Sequence, residues 1–572
     1  MSAPDRRQDP TGGRSWWGWG HREQALGADA LDGLAALLNQ RFGLPPPGAL
    51  DPVDPATVAL SEPRVRLPDH LDVPASRDPV DRLWHGHGNA FRDVARALHG
   101  DVPRVPDLVV RPRSPAEVEA VLDHATQVGL VVVPWGGGSS VVGGVTPSAE
   151  PCLSLDLGHL DRVLEVEPVS RTARIQAGAL GPQIEAQLRA HGLTLRHFPQ
   201  SWEFSTLGGW LATRAGGHFA TGPTHIDDLT AAITACTPTG WWSSRRLPGS
   251  GAGPSPDRLL LGSEGVLGVI TEAWMRVQPR PRARAQATLR LASFDAGLAA
   301  VRALVQDGLR PANCRLLDPV EAALSGAGPA DGSDTVLVLG FEAVEAPLDG
   351  IMDRALTLLR DNDAEVVDGP HLRGGDATGT AEGGAGAWRR AFLQGPYLRD
   401  GLIRLGAVVE TFETATSWER AGELIATLRD TAARAAREVC GGAMVAVRTT
   451  HAYPDGVAPY LTVIAPGPLP ARRRPISPEV GERVARGRAQ VAAWDEIKVA
   501  VSEAIDAAGA TITHHHAVGR DHRAWYDRQR PEPFARALVA AKAALDPSAV
   551  LNPGLLIDPG LLVEPGAPGS RQ

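Results

Sequence analysis

The chain has 572 residues, enough for three or four units of ~150 residues each. Its apolar share of 43 % and charged share of 22 % suit large globular cores and exclude a disordered, collagen-like or disulfide-scaffold chain. A net charge of −9 argues against a nucleic-acid binder, and Cys152, Cys236, Cys314 and Cys440, with no CxxC pair, argue against a zinc or dithiol site and for a reducing compartment.

The opening MSAPDRRQDPTGG lacks the apolar core of a secretory signal, and no apolar run approaches the ~20 residues that span a bilayer. A soluble, cytoplasmic protein is expected. Residues 1–60 are rich in Gly, Pro, Trp and charge and read as loosely ordered. The patch Ser15-Trp16-Trp17-Gly18-Trp19-Gly20 has two readings: rings docked on a neighbouring domain, or contact with a substrate or membrane surface. From about residue 100 the pattern becomes strand, helix, strand, loop. Leu108-Val109-Val110 predicts a strand. Ser114-Pro115-Ala116-Glu117 opens a helix with an N-cap, a first-turn proline and a capping-box glutamate. Val118, Val121, Leu122, Ala125 and Val128 keep helical spacing, and Gly129 ends it. Leu130–Val133, Leu153–Leu157, Arg162–Glu167 and Thr172–Gln176 predict strands, and Gln183–Ala190 a short helix. Further on, Thr335–Leu339 predicts a strand, 366–387 a surface loop, 415–438 a helix and 464–486 a loop; the last ten residues are expected to be disordered.

The strongest local signal is Pro134-Trp135-Gly136-Gly137-Gly138-Ser139-Ser140. Consecutive glycines let backbone approach a ligand and turn several N–H groups toward one point, as a pyrophosphate needs. It is neither a Walker A loop nor the Rossmann fingerprint, because no Gly-Lys-Ser/Thr follows and Val141 holds the third glycine position. Three further segments mix small residues with hydroxyls: Gln200-Ser201-Trp202-Glu203-Phe204-Ser205-Thr206 with Leu207-Gly208-Gly209, Ala212-Thr213-Arg214-Ala215-Gly216-Gly217, and Gly262-Ser263-Glu264-Gly265-Val266-Leu267-Gly268-Val269-Ile270-Thr271. Each alone could be an ordinary loop; four together form a specific combination.

Other candidates are single residues. In His514-His515-His516, after Thr511-Ile512-Thr513, a strand would put His514 and His516 on one face and His515 on the other. No role, a metal site and a proton relay all fit; no carboxylate lies at an obvious ligand spacing. Tyr460, before Leu461–Ile464, is structural or a base; as a phenolate it needs nearby cations. Arg399 and Arg315 suit phosphate through the planar guanidinium fork, and Arg448 is the weaker candidate. Only Lys498 and Lys542 among 57 basic residues are lysines, so one arginine by itself says little.

Taken together, PWGGGSS, FSTLGG, ATRAGG and GSEGVLGVI make the chain resemble the vanillyl-alcohol oxidase/p-cresol methylhydroxylase family of FAD-binding flavoproteins. Tyr397-Leu398-Arg399-Asp400 and Thr513-His514-His515-His516-Ala517-Val518-Gly519 point within it to the alkylglycerone-phosphate synthase branch. The resemblance implies an α+β fold: a two-subdomain FAD-binding domain with an α+β cap. It divides the chain into an N-terminal segment, 1–100, an FAD domain, 101–282, a cap, 283–510, and a C-terminal segment, 511–572, that completes the active site and returns to the FAD domain. FAD would be non-covalent, since the 134–145 loop has no His or Cys. The four segments would bind it. Tyr460, His514, His515, His516 and Arg399 would be catalytic, Arg315 and Arg399 would hold substrate, and no metal is implied. The activity implied is redox-neutral exchange of the acyl chain of an acylated dihydroxyacetone phosphate for a fatty alcohol. The flavin would act as electron sink and covalent handle. An FAD-linked oxidase or dehydrogenase of a 2-hydroxy acid or alcohol is the alternative, and a non-catalytic flavin-containing lipid binder a third reading. Small-molecule lipids are the expected partners, nucleic acid is not, and peripheral membrane contact and a homodimer are left open.

Overall fold

Residues 11–345, 347–374, 383–469, 481–558 and 560 are described by a computed structural model. Ser114 caps the helix Pro115–Val128 by accepting the Glu117 N–H, and Gly129 ends it at φ 67°. The helix crosses from the strand Leu108–Val110 to Val131–Trp135. Both run parallel to Cys152–Asp156, which lies between them and is buried along its length. A second, antiparallel sheet has the order Val163–Glu167, Thr172–Gln176, Val269–Arg276, Thr230–Thr237 and Gly240–Ser243. One apolar core joins the two sheets. The end of the chain returns to them: the Val132 N–H donates to the Val550 carbonyl, and the Asn552 N–H to that of Val132.

The middle of the chain builds a larger antiparallel sheet. Its order is Glu365–Gly374, Ala283–Leu291, Thr335–Ala343, Asn313–Leu317, Met444–Ala452, Gly456–Ala465 and Val408–Glu413, with Thr416–Ser417 pairing Gly456–Ala465. Apolar residues of the helices Phe294–Gln306, Asp349–Arg360, Trp418–Cys440 and Glu482–Ala507 complete its core. Among the described residues, no helix is long and apolar enough to cross a membrane.

Three expectations are corrected. Residues 366–374 are not loop: they form an edge strand on Ala283–Leu291, where Pro370 falls at a register irregularity and costs no ladder bond, and the helix Gly383–Arg404 follows. Residues 511–516 form no strand: the N–H groups of His514, His515 and His516 all turn to the Glu413 carboxylate, and that of Ile512 to Gln529 Oε1. The opening segment, described from residue 11, is packed on the rest of the protein and contains the helix Ala28–Phe42. Trp16 packs on Leu83, Ala97 and Val105, and Trp19 on Phe204 and Tyr397, so both rings are docked. Residues 375–382, 470–480 and the last ten lie outside the described residues.

Candidate active site

The glycine loop follows the strand Val131–Trp135 and lies against the chain at 204–206. An added Cβ at Gly136 would sit 2.2 Å from Thr206 Oγ1, and one at Gly137 only 1.7 Å from the Phe204 carbonyl oxygen. The glycines are therefore demanded first by a neighbouring segment of the protein; that contact sets two candidate cofactor segments side by side. Asn89, which the sequence does not single out, secures the loop: its Nδ2 donates to the Gly138 carbonyl at 2.8 Å and its N–H to that of Ser140 at 2.6 Å. Arg14 Nη2 donates to the Gly137 carbonyl at 2.9 Å. The opening segment thus straps the outside of the loop, held at Trp19 by a 2.6 Å bond from its N–H to Asp400 Oδ2.

A cavity of about 450 Å³ begins at this loop. Pro134, Trp135, Gly136, Gly137, Gly138, Ser139, Ser140, Gln200, Ser201, Ser205, Thr206, Thr213, Ala215, Gly216, Glu264, Gly265, Gly268 and Ile270 line it. Trp202, Glu203, Phe204, Arg214, Val266, Leu267 and Val269 do not face it. Val266, Leu267 and Val269 turn into the core, and Arg214 is drawn outward to Asp227. Glu264 is buried, its carboxylate accepting the N–H groups of Val518 and Gly519 at 2.9 Å; burial pushes its carboxyl up to about 7, against those bonds. Neutral hydroxyls, turned backbone and a buried, narrow cradle fit the pyrophosphate and ring system of FAD.

The same cavity reaches the large sheet. In its antiparallel register Arg448 stands opposite Tyr460, and Tyr460 opposite Glu413, so the three side chains form a row on one face. Leu317 pairs Arg448, which places Arg315 on that face too. Arg448 lies 3.8 Å over the Tyr460 ring and is fixed by a 2.5 Å bond to Glu321. Arg315 is 1 % exposed; Nη2 donates to the His218 carbonyl, while Nε and Nη1 have no partner. Burial, then the repulsion of Arg448, brings its guanidinium down to about 9. An uncompensated buried cation at a cavity wall is costly unless an anion joins it.

The histidines surround Tyr460. His515 and His516 line the cavity, with ring centroids 6.4 Å and 5.8 Å from that of Tyr460. His514 sits behind them, its Nε2 3.0 Å from the Tyr453 hydroxyl and 3.2 Å from His225 Nε2. His451 turns Nε2 to the Gly217 carbonyl at 3.0 Å. Ring nitrogens of His451, His514 and His515 lie within 4.8 Å of one another, a spacing able to hold a metal ion as well as to pass protons. Burial, partly offset by Glu413, brings His514 and His516 down to about 3, so both are neutral at physiological pH.

This corrects the expected electrostatics of Tyr460. Neutral His514 and His516 lend it no cationic field. Arg399 does not join it either: its Nε and Nη2 bind Asp400 Oδ1 at 3.1 Å and 2.8 Å, and its Nη1 the Asn89 carbonyl at 2.7 Å. Arg399 lines the cavity at the glycine-loop end, as a brace between strap and loop. Arg448, the weaker candidate, is the cation at Tyr460. Burial nonetheless raises the phenol above its ordinary value, with Arg448 opposing. Sequence reasoning also missed Glu413, His225, His451 and Tyr453; register alone reveals the first, and nothing local marks the others.

The remaining walls are apolar. Leu34, Leu37 and Leu38 of the helix Ala28–Phe42 line the cavity with Phe91, Leu402, Val409, Met444 and Ile464; the Arg315 guanidinium lies over Trp388, on which Phe392 stacks.

Comparison with known proteins agrees with this geometry. The family described as "FAD binding domain" matches residues 106–243, and "FAD linked oxidases, C-terminal domain" matches 280–556. Alkyldihydroxyacetonephosphate synthase of Dictyostelium discoideum is 30 % identical over 506 residues, covering 84 % of this chain and 77 % of that one. A solved alkyldihydroxyacetonephosphate synthase superposes with a TM-score of 0.75 at 26 % identity, covering 97 % and 99 % of the two chains. Substrate-bound p-cresol methylhydroxylase, at 13 % identity and a TM-score of 0.63 over 85 % of this chain and 94 % of its own, shares the fold.

Proposed function

Because the chain belongs to the alkyldihydroxyacetonephosphate synthase family, with FAD as its cofactor, we propose that it makes an ether-lipid precursor by redox-neutral exchange. The acyl chain of an acyl-dihydroxyacetone phosphate is replaced by a long-chain alcohol. The observation that carries this reading is the single cavity joining the glycine loop, the row Arg315, Arg448 and Tyr460, and the apolar walls. A small hydroxy acid would use only its polar part. A long chain gains about 0.8 kcal/mol for each CH₂ it buries there.

FAD, bound without a covalent tether, supplies an electron-accepting ring. The protein supplies the rest. Arg315 offers Nε and Nη1 as a fork to the phosphate. Tyr460 acts as the phenolate that Arg448 stabilises, and its Oη takes a proton from C1 of the substrate. The fatty acid leaves as a carboxylate, the alcohol oxygen bonds to C1, the hydroxyl proton passes to the imidazoles beside Tyr460, and Tyr460 returns its proton to C1. One ester is consumed and one ether made, with no net gain or loss of electrons.

The test is anaerobic incubation with palmitoyl dihydroxyacetone phosphate and hexadecanol, without an electron acceptor. Many turnovers with one fatty acid released per ether formed are expected. Turnover that stops after one equivalent and resumes only with an acceptor overturns this reading in favour of an oxidase or dehydrogenase.

A further inference from the structure

Glu413 is 3 % exposed and ends the strand Val408–Glu413 beside Tyr460. Its Oε1 accepts the Thr513 hydroxyl at 2.5 Å and the N–H groups of His514, His515 and His516 at 2.9, 2.8 and 2.8 Å. Its Oε2 accepts the N–H groups of His514 and His515 at 2.9 and 3.0 Å and lies 3.1 Å from His515 Nδ1. Three successive N–H groups turned to one point cannot belong to a strand, where they alternate; they form a nest for an anion. Burial alone would push this carboxyl up. His515 beside it, by its charge whenever it is protonated and by its contact with the carboxylate, reverses that and holds Glu413 well below the usual carboxylate range.

The nest determines where the side chains go. With the backbone wrapped around one carboxylate, His514 is directed to His225 and Tyr453, while His515 and His516 are directed to Tyr460 and the cavity. The carboxylate also selects a tautomer. His515 Nδ1 has two neighbours, Glu413 Oε2 at 3.1 Å and His514 Nδ1 at 3.3 Å. A charged acceptor makes a hydrogen bond about twice as strong as a neutral one, so the proton stays on Nδ1 and faces Glu413. Nε2 then keeps its lone pair, as in other carboxylate–histidine pairs.

We propose that Glu413 is the positioning residue of this active site, gathering residues 513–516 and fixing His515 with Nδ1–H on the carboxylate and Nε2 free to accept a proton. That Nε2 takes the proton of the incoming alcohol rests on the lipid-transfer reading; the tautomer does not.

Two measurements test it. In ¹⁵N-histidine-labelled holoenzyme without substrate, the His515 signals, identified by their loss in His515→Gln, should show a protonated Nδ1 and a bare Nε2. In Glu413→Gln, which keeps shape but loses charge and one acceptor, kcat should fall about 10- to 100-fold. FAD content should match the wild type and KM should stay within about twofold, a split that a merely structural anchor would not produce. A wild-type His515 protonated on Nε2, or a Glu413→Gln enzyme with full kcat, overturns the proposal. Should Glu413→Gln not fold, the wild-type spectrum decides alone. Failure of the lipid-transfer reading would appear separately, as a wild-type enzyme that does not turn over these lipids while the spectrum stands.

Discussion

Gly137→Ala puts one methyl group 1.7 Å from the Phe204 carbonyl oxygen and 2.7 Å from its carbonyl carbon. Both obstacles are backbone, so no rotamer change relieves them. An ordinary carbon–oxygen contact is about 3.3 Å, so the two segments must part by about 1.5 Å. Overpacking of this kind costs about 1–3 kcal/mol. Both segments line the FAD cavity, and charging that strain to cofactor binding weakens FAD affinity roughly 5- to 150-fold at 1.4 kcal/mol per tenfold. The assay is titration of stripped protein with FAD, followed by flavin fluorescence. Gly33→Ala is the control: it lies inside the helix Ala28–Phe42, and an added Cβ meets nothing within 4 Å. It should add about 0.5–1 kcal/mol of stability and leave FAD affinity unchanged. A folded Gly137→Ala protein that binds FAD within twofold of the wild type would refute the packing argument.

Other expectations concern the polar end of the cavity. Tyr460→Phe removes one oxygen and little volume, so melting temperature and FAD content should hold while kcat drops by at least about 100-fold; retention of most activity would make Tyr460 structural. Arg448→Met removes the cation that opposes the burial-raised phenol. The phenol then ionises less readily, so the alkaline rise of kcat should move to higher pH, and an unmoved profile would detach Arg448 from Tyr460. Arg315→Met deletes a buried guanidinium with two unpartnered nitrogens. The substrate-free holoenzyme should melt no lower, while KM for the phosphate-bearing substrate rises about 10- to 150-fold, the range for charged hydrogen bonds of about 1.5–3 kcal/mol. A lower melting temperature with unchanged KM would contradict this.

Legibility in the sequence followed the range of the interactions involved. The helix Pro115–Val128 was readable because Ser114, Pro115, Glu117 and Gly129 act within a few residues of its ends. The strand Glu365–Gly374 was not, because only its partner Ala283–Leu291 holds its Gly- and Pro-containing chain extended. The triple histidine stood out by composition, but its backbone shape depends on Glu413, 101 positions from His514 and unremarkable in its own neighbourhood. Arg399 stands out within Tyr397-Leu398-Arg399-Asp400, yet Asp400 and Asn89 occupy its donors. Arg448 carried no local signal; three adjoining strands had to set it over Tyr460.

The glycine loop is held from both ends of the chain. Arg14 and Trp19 strap it from outside, while Val550 and Asn552 pair with Val132 beneath it and Asn552 Nδ2 donates to the carbonyls of Gly144 and Glu264. Residues far apart in the sequence therefore meet at one loop, and its shape is a product of the assembled fold rather than of the loop's own glycines.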